Sequence, residues 1–443
     1  MLVVHVAFEC APIYKTGGLG DVVGSLPKAL VNEGIDTVVV MPGYNWIKRY
    51  QMLPNSRVPV IYIEGKWFHE GLKKHNPRLQ AQAFAYFCKG VLEELKRRNL
   101  KPDILHCHDW HAALIPVLLK KRPDSYFEKT KTILTIHNIG YQGNFPCRFF
   151  TEGEFADVLT CFRDWKRVSF LREGMRYTDF ITTVSPNHAR EIKNGLVSFG
   201  LKQVLSEKRG KFMGILNGID NSVWNPRTDD LISNNYSLGS QFSAKSENKL
   251  NLQKRLGLAV SSDIPLFAFI ARLTSQKGLE LLIPILTEAA RQRIQIVILG
   301  SGEKKYETIL QKLKTIIDPR WYGVVVKFDE KLAHLMYAGS DFFLVPSLYE
   351  PCGLTQMIAM RYGSIPVVSQ VGGLVDTVTD GKTGIVFKEK TTESLRLAIE
   401  RASDLWERNQ DYMQMVKVAM KKDFSWGKSA REYRLLYKKV VNL

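Results

Sequence analysis

Lys15 stands just before three glycines, Gly17, Gly18 and Gly20, in the stretch YKTGGLGDVVGSLPKAL that follows the first apolar run of the chain. A plain turn needs one glycine or two. Glycines packed this densely where a strand gives way to a helix let backbone come close to a ligand, and free N–H groups at a helix start favour an anion. The dinucleotide fingerprint G-x-G-x-x-G does not fit, because Gly24 falls one position late and the second strand ends in Met41 and Pro42 rather than in an acid. A Walker A loop does not fit either, since no Gly-Lys-Ser/Thr follows. In ARLTSQKG, Arg272 and Lys277 sit on one short loop. A planar guanidinium and a mobile ammonium together suit a diphosphate. In PSLYEPCGLTQ, Glu350 precedes a run of N–H groups from Cys352 to Thr355. It either caps the helix that follows or aims a carboxylate at sugar hydroxyls. LHCHDWHA offers His106, His108, Asp109 and His111 as metal ligands. Strand alternation followed by a turn argues that the three histidines do not converge, so no metal is expected. No Asp-x-Asp occurs to hold a metal against a nucleotide diphosphate.

These loops need elements to hold them. Apolar, β-branched runs alternate with helical patterns twice over: LVVHVAF, DTVVVM, DILHCH, KTILTIHN and DFITTVS in the first half, then PLFAFIAR, IQIVILG, VVVKFD, DFFLVPS and SIPVVSQ in the second. Continuous apolar strands with intervening helices predict parallel sheets covered on both faces. A chain of 443 residues exceeds the usual reach of one core. The expected fold is therefore α/β, with two Rossmann-like doubly wound domains whose carboxyl-end loops face a shared central cleft. The polar stretch Trp224 to Ser246, rich in Asn and Ser, reads as the linker between them.

Composition narrows the class. Hydrophobic residues make up 45% and charged residues 24%, ordinary for a globular protein, and no apolar run reaches the ~20 residues of a membrane helix. The N-terminus has no basic region or cleavage site, and the six cysteines show no C-x-x-C spacing. That fits a reducing compartment and argues against a zinc ribbon or a disulfide scaffold, so a cytoplasmic location is expected. The net charge of +18 opens a nucleic-acid reading, but the basic clusters are dispersed and lack interleaved aromatics. No nucleic-acid or membrane partner is expected.

The same motifs carry a resemblance. ECAPIYKTGGLGDVVGSLPKAL, HCHDWHAAL, TIHNIGYQGNF, DFITTVSP, ARLTSQKG, AGSDFFLVPSLYEPCGLTQ and GGLVDTV run nearly end to end. Together they resemble the bacterial glycogen synthases and plant starch synthases, retaining glucosyltransferases of GT-B fold. Ile358 stands where related transferases carry a second Glu, which favours the synthase branch.

The resemblance implies a nucleotide-glucose donor, ADP-glucose or UDP-glucose, an α-1,4-glucan acceptor, and no cofactor or metal. It implies an acceptor-side domain over 1–235, a donor-side domain over 236–423, and a C-terminal helix over 424–443 that packs back on the first domain. Lys15, Gly17 and Gly18 would hold the donor phosphates with Arg272 and Lys277. Glu350 and the amides of Cys352, Gly353 and Leu354 would grip the glucose, and Thr355 would meet a phosphate. His137, Asn217 and Asp109 would lie on the glucose side, with Phe328 beside the base. Retention would proceed by front-face attack, which needs charge stabilisation rather than a carboxylate nucleophile. The segment Asn45 to Gln82 is shorter than in the family and has no obvious match, and it is there that the family meets its acceptor. The alternatives are a catalytically weak glucan-binding paralogue and a basic nucleic-acid-binding protein. The first would be expected to lose clamp charges, which are all present here.

Overall fold

The computed structural model describes residues 1–65, 68, 76–150, 153–159, 166–239 and 242–443. The rest of the short segment noted above, 66–67 and 69–75, lies outside the described residues. The chain divides into two compact units, Met1–Gly218 with Ser425–Leu443, and Ile219–Phe424.

In the first unit the apolar runs form strands β1 (Leu2–Val6), β2 (Asp36–Pro42), β3 (Val60–Ile63), β4 (Ile104–His108) and β5 (Lys131–Ile136). A short antiparallel pair follows, β6 (Asn144–Pro146) and β7 (Arg167–Ser169), and then β8 (Phe180–Thr183) and β9 (Phe212–Gly214). The main sheet runs β3-β2-β1-β4-β5-β8-β9, with every neighbour parallel. Its strands are buried along nearly their whole length, as a sheet covered on both faces requires. The last helix, Trp426–Val441, belongs to this unit. Trp426, Tyr433, Leu436, Tyr437 and Val440 join Val3, Leu26, Leu30, Ile104, Ile133 and Phe180 in one core cluster.

The second unit repeats the plan with β10 (Leu266–Ile270), β11 (Gln295–Gly300), β12 (Tyr322–Val326), β13 (Phe342–Val345), β14 (Ile365–Ser369) and β15 (Ile385–Phe387). Its order is β12-β11-β10-β13-β14-β15, all parallel. In each sheet the first strand lies in the interior and the chain leaves it in opposite directions. The resulting switch points, β1/β4 and β10/β13, are where open α/β sheets bind ligands, beyond the strands' carboxyl ends.

Two readings from composition need correcting. Polar Trp224–Ser246 is built into the second unit, where Trp224 stacks on His334 at 4.1 Å and the buried Tyr236 donates its hydroxyl to the Tyr362 carbonyl. The buried acid Asp229 accepts from His334 and Tyr362, an arrangement that a count of polar residues does not reveal. Among the cysteines, Cys10, Cys88, Cys107 and Cys352 are buried thiols outside any disulfide, whereas Cys147 is disulfide-bonded. Among the described residues no helix is long and apolar enough to cross a membrane.

Candidate active site

Each unit carries one cluster of the predicted residues near its sheet's switch point, with Asn217 and Phe328 set apart beyond the edge strands β9 and β12. In the first unit, β1 runs out into Glu9, a carboxylate only 1% exposed. Its Oε2 accepts from the backbone N–H and hydroxyl of Thr16 and from Gly17 N at 3.2 Å, and its Oε1 accepts from Gly20 N at 3.0 Å. Burial raises the Glu9 pKa and these hydrogen bonds oppose the rise. The glycine loop was expected to offer free amides to an anion. At Thr16, Gly17 and Gly20 they are instead taken by the protein's own acid, which sits where an anion would at the start of helix Gly18–Asn32. Lys15 extends to the surface and pairs with Asp21 at 2.6 Å.

From the next two strands come Asp109 and His137. Asp109 directly follows β4 and holds a left-handed conformation (φ 56°), uncommon for a residue other than glycine. Its Oδ1 accepts from His137 N at 2.7 Å, tying the loop after β5 to the loop after β4. Burial pushes the Asp109 carboxyl up to about 7, against the pull of that bond. Asn217, beyond β9, is buried, and its Oδ1 finds no hydrogen-bond partner.

The histidines of LHCHDWHA depart from expectation. His106 and His108 do share a face of β4, and His5 of β1 joins them, so that ring nitrogens of all three lie within 4.8 Å of one another. His111 alone diverges and stacks on Phe8 at 3.7 Å. The missed contributor is His5, paired in register with His106 on the neighbouring strand. The three rings are hydrogen-bonded rather than open. His106 bonds Tyr437 and Thr135, and His108 bonds His5 and His137, which leaves His5 Nε2 alone without a partner.

In the second unit the loop after β10 carries Arg272, which is exposed, and Lys277. Gly278 closes the loop at φ 74°, and a Cβ there would lie 1.8 Å from the Pro346 carbonyl oxygen, so only glycine fits. The loop is pinned to the one after β13: Leu348 N donates to Gln276 O at 2.9 Å and Gln276 Nε2 to Tyr349 O at 3.0 Å. That stitching delivers Lys277 Nζ to Glu350 Oε2 at 2.6 Å, where Ser347 also donates at 2.9 Å. Among the described residues Glu350 Oε1 has no partner.

Beyond Glu350, the N–H groups of Gly353, Leu354 and Thr355 likewise find no acceptor among the described residues. Gln356 shapes this turn by donating to the carbonyls of Cys352 and Gly353 and to the Thr377 hydroxyl. Phe328 follows β12 and is 82% exposed. The geometry offers one carboxylate braced by a cation, further cations on short loops, and open amides at a helix start. Such a set can bind a polyol and neutralise a departing phosphate.

The chain matches two family models, one described as the starch synthase catalytic domain over residues 2–207 and one as glycosyl transferases group 1 over residues 254–418. It is 38% identical to the glycogen synthase of Geotalea daltonii over 481 aligned residues, covering 100% of this chain and 99% of the relative. It is also 38% identical to the glycogen synthase of Francisella tularensis subsp. novicida over 487, with 100% and 99% covered. Among solved structures, the catalytic domain of starch synthase IV from Arabidopsis thaliana bound to ADP and acarbose superposes with a TM-score of 0.92 at 33% identity, over 100% of this chain and 99% of that one. Sucrose-phosphate synthase from Thermosynechococcus elongatus, at 17% identity and a TM-score of 0.69 over 100% of this chain and 99% of that one, shares the fold.

Proposed function

This chain belongs to the glycogen synthase and starch synthase family of glycosyltransferases, and from that premise we propose the details of its reaction. It takes glucose from ADP-glucose, with UDP-glucose as the alternative donor, and adds it to the non-reducing end of an α-1,4-glucan with retention at the anomeric carbon. Its first unit serves the acceptor and its second the donor.

The observation that carries this reading is the Lys277–Glu350 pair beside the open amides of Gly353 to Thr355. Lys277 and Arg272 neutralise the diphosphate as it leaves, and Lys15, beside Gly17 and Gly18, adds to that charge stabilisation. Glu350 Oε1 and the amides of Cys352, Gly353 and Leu354 hold glucose hydroxyls, and Thr355 meets a phosphate oxygen. Asp109, His137 and Asn217 lie on the sugar side, and the unpartnered Asn217 Oδ1 supports a ligand donor there. Exposed Phe328 stacks beside the base. Charge stabilisation comes from side chains, so no metal is required.

The test is the purified protein with each donor and a short malto-oligosaccharide, in EDTA. The expected result is release of nucleoside diphosphate matched by growth of the oligosaccharide one glucose at a time. Strict dependence on Mg²⁺ or Mn²⁺, or donor hydrolysis with no chain growth, overturns the reading.

A further inference from the structure

Three imidazoles run in single file toward the candidate site. His5 Nδ1 lies 3.1 Å from His108 Nε2, and His108 Nδ1 lies 3.0 Å from His137 Nε2. His5 and His108 are wholly buried. The file is clamped from the side by His106, whose ring stacks on His108 with centroids 4.3 Å apart. His106 is fixed in turn by Tyr437 at 2.8 Å and by Thr135 at 2.6 Å. At the outer end His137 is partly exposed, and its Nδ1 has no partner among the described residues.

We propose that His5 and His108 are positioning residues whose imidazole chain sets the tautomer of His137, so that His137 offers an Nδ1–H donor to the bound substrate. A neutral imidazole has one N–H and one bare nitrogen, so the direction of each bond dictates the next. If His5 Nδ1–H donates to His108 Nε2, then His108 Nδ1–H donates to His137 Nε2, and the His137 proton must lie on Nδ1. The reverse direction would put a proton on His5 Nε2, a buried atom with no partner. A buried N–H without an acceptor is rarer and more costly than a bare lone pair, so the outward direction wins. Burial lowers His5 and His137 to about 3 and holds His108 well below its usual range, which keeps the rings neutral as the argument requires. The role rests on the functional reading of His137 given above. The tautomer itself does not.

The experiment is ¹H–¹⁵N two-bond correlation on full-length protein labelled at histidine, with the His137 signal assigned by its loss in His137→Gln. The wild type is expected to show His137 protonated at Nδ1. In His5→Leu, which removes the inner donor, His137 should become a mixture or shift to Nε2–H, and kcat should fall by about 10- to 100-fold with donor KM nearly unchanged. His5→Asn, whose amide places an N–H where Nδ1 was, should restore both signal and kcat. A wild-type His137 protonated at Nε2, or a His5→Leu spectrum like the wild type's, overturns the proposal, and the wild-type spectrum decides even if a variant does not fold. Full turnover by His137→Gln would overturn the functional reading, and the positioning role with it, while leaving the tautomer assignment standing.

Discussion

The two clusters sit on one sheet plan and arrange their acids in opposite ways. In the first unit the acid at the switch point, Glu9, turns inward and consumes the amides of the glycine loop, while Lys15 reaches outward to a surface pair with Asp21. In the second unit the acid, Glu350, is braced by a cation and keeps one oxygen open, and the amides beyond it stay open as well. A carboxylate fully satisfied by its own loop builds shape. One that is half satisfied can bind. On the proposed reading, the first unit acts mainly as a moulded wall and the second as the charged grip.

Breaking the grip should have the largest effect. Lys277→Ala removes a half-buried cation and leaves Glu350 uncompensated, so turnover should fall by about 10³. Lys15→Ala, at a more exposed pair, should cost about 10². Steady-state kinetics with saturating acceptor measures both. Equal losses would erase the contrast between wall and grip, and near-wild-type activity in either variant would remove that lysine from the site.

The next effect tests burial without a cation. Asp109 has no ion-pair partner among the described residues, and its carboxyl is pushed from 3.8 up to about 7. Between pH 4 and 7 the folded protein therefore holds a proton that the unfolded chain has released. Stability must fall as pH rises through that window, by a few kcal/mol at about 1.4 kcal/mol per pKa unit. Asp109→Asn removes this dependence, so its gain in thermal midpoint over wild type should be larger at pH 8 than at pH 5. A gain equal at both values contradicts the burial argument.

Gly372→Ala sharpens the comparison from the structural side. Gly372 (φ 45°) sits against the Glu350 turn, where a Cβ would lie 1.8 Å from the Glu350 carbonyl oxygen. The turn must move, at about 1–3 kcal/mol of stability. Because the turn carries the grip, donor KM should rise while the first unit is untouched. A variant with lower stability but unchanged KM would show that the turn's placement matters less than its charge.

What could be read from the sequence follows from what is local. Apolar runs alternating with helical patterns gave both parallel sheets, because burial on two faces writes itself into each strand. The cations were legible because Arg272 and Lys277 share one loop and Lys15 adjoins its glycines. Partners distant along the chain were not. Glu9 looks like a strand end until the loop folds back over it. His5 joins His106 and His108 only through the register of β1 on β4. Trp224–Ser246 reads as linker because its buried Asp229 network, satisfied by His334 and Tyr362, is polar in composition but packed in space. Cys147 shows the same blindness, since spacing alone gave no sign of its disulfide.

The smallest expected effect asks most directly what the wall is for. Glu9→Gln keeps one acceptor oxygen and puts an NH₂ where the other oxygen stood. With that oxygen turned toward Thr16 and Gly17, the Gly20 N–H faces a donor instead of an acceptor. The loss is about one hydrogen bond, roughly 1 kcal/mol, partly offset because a buried charge is removed. If Glu9 moulds the loop, the variant should bind nucleotide diphosphate slightly more weakly and turn over more slowly. If Glu9 instead plugs a real anion site, neutralising it should tighten nucleotide binding. Isothermal titration with ADP separates the two by sign, so even this small effect is decisive. Tighter binding by Glu9→Gln would turn the wall into a second grip and end the comparison.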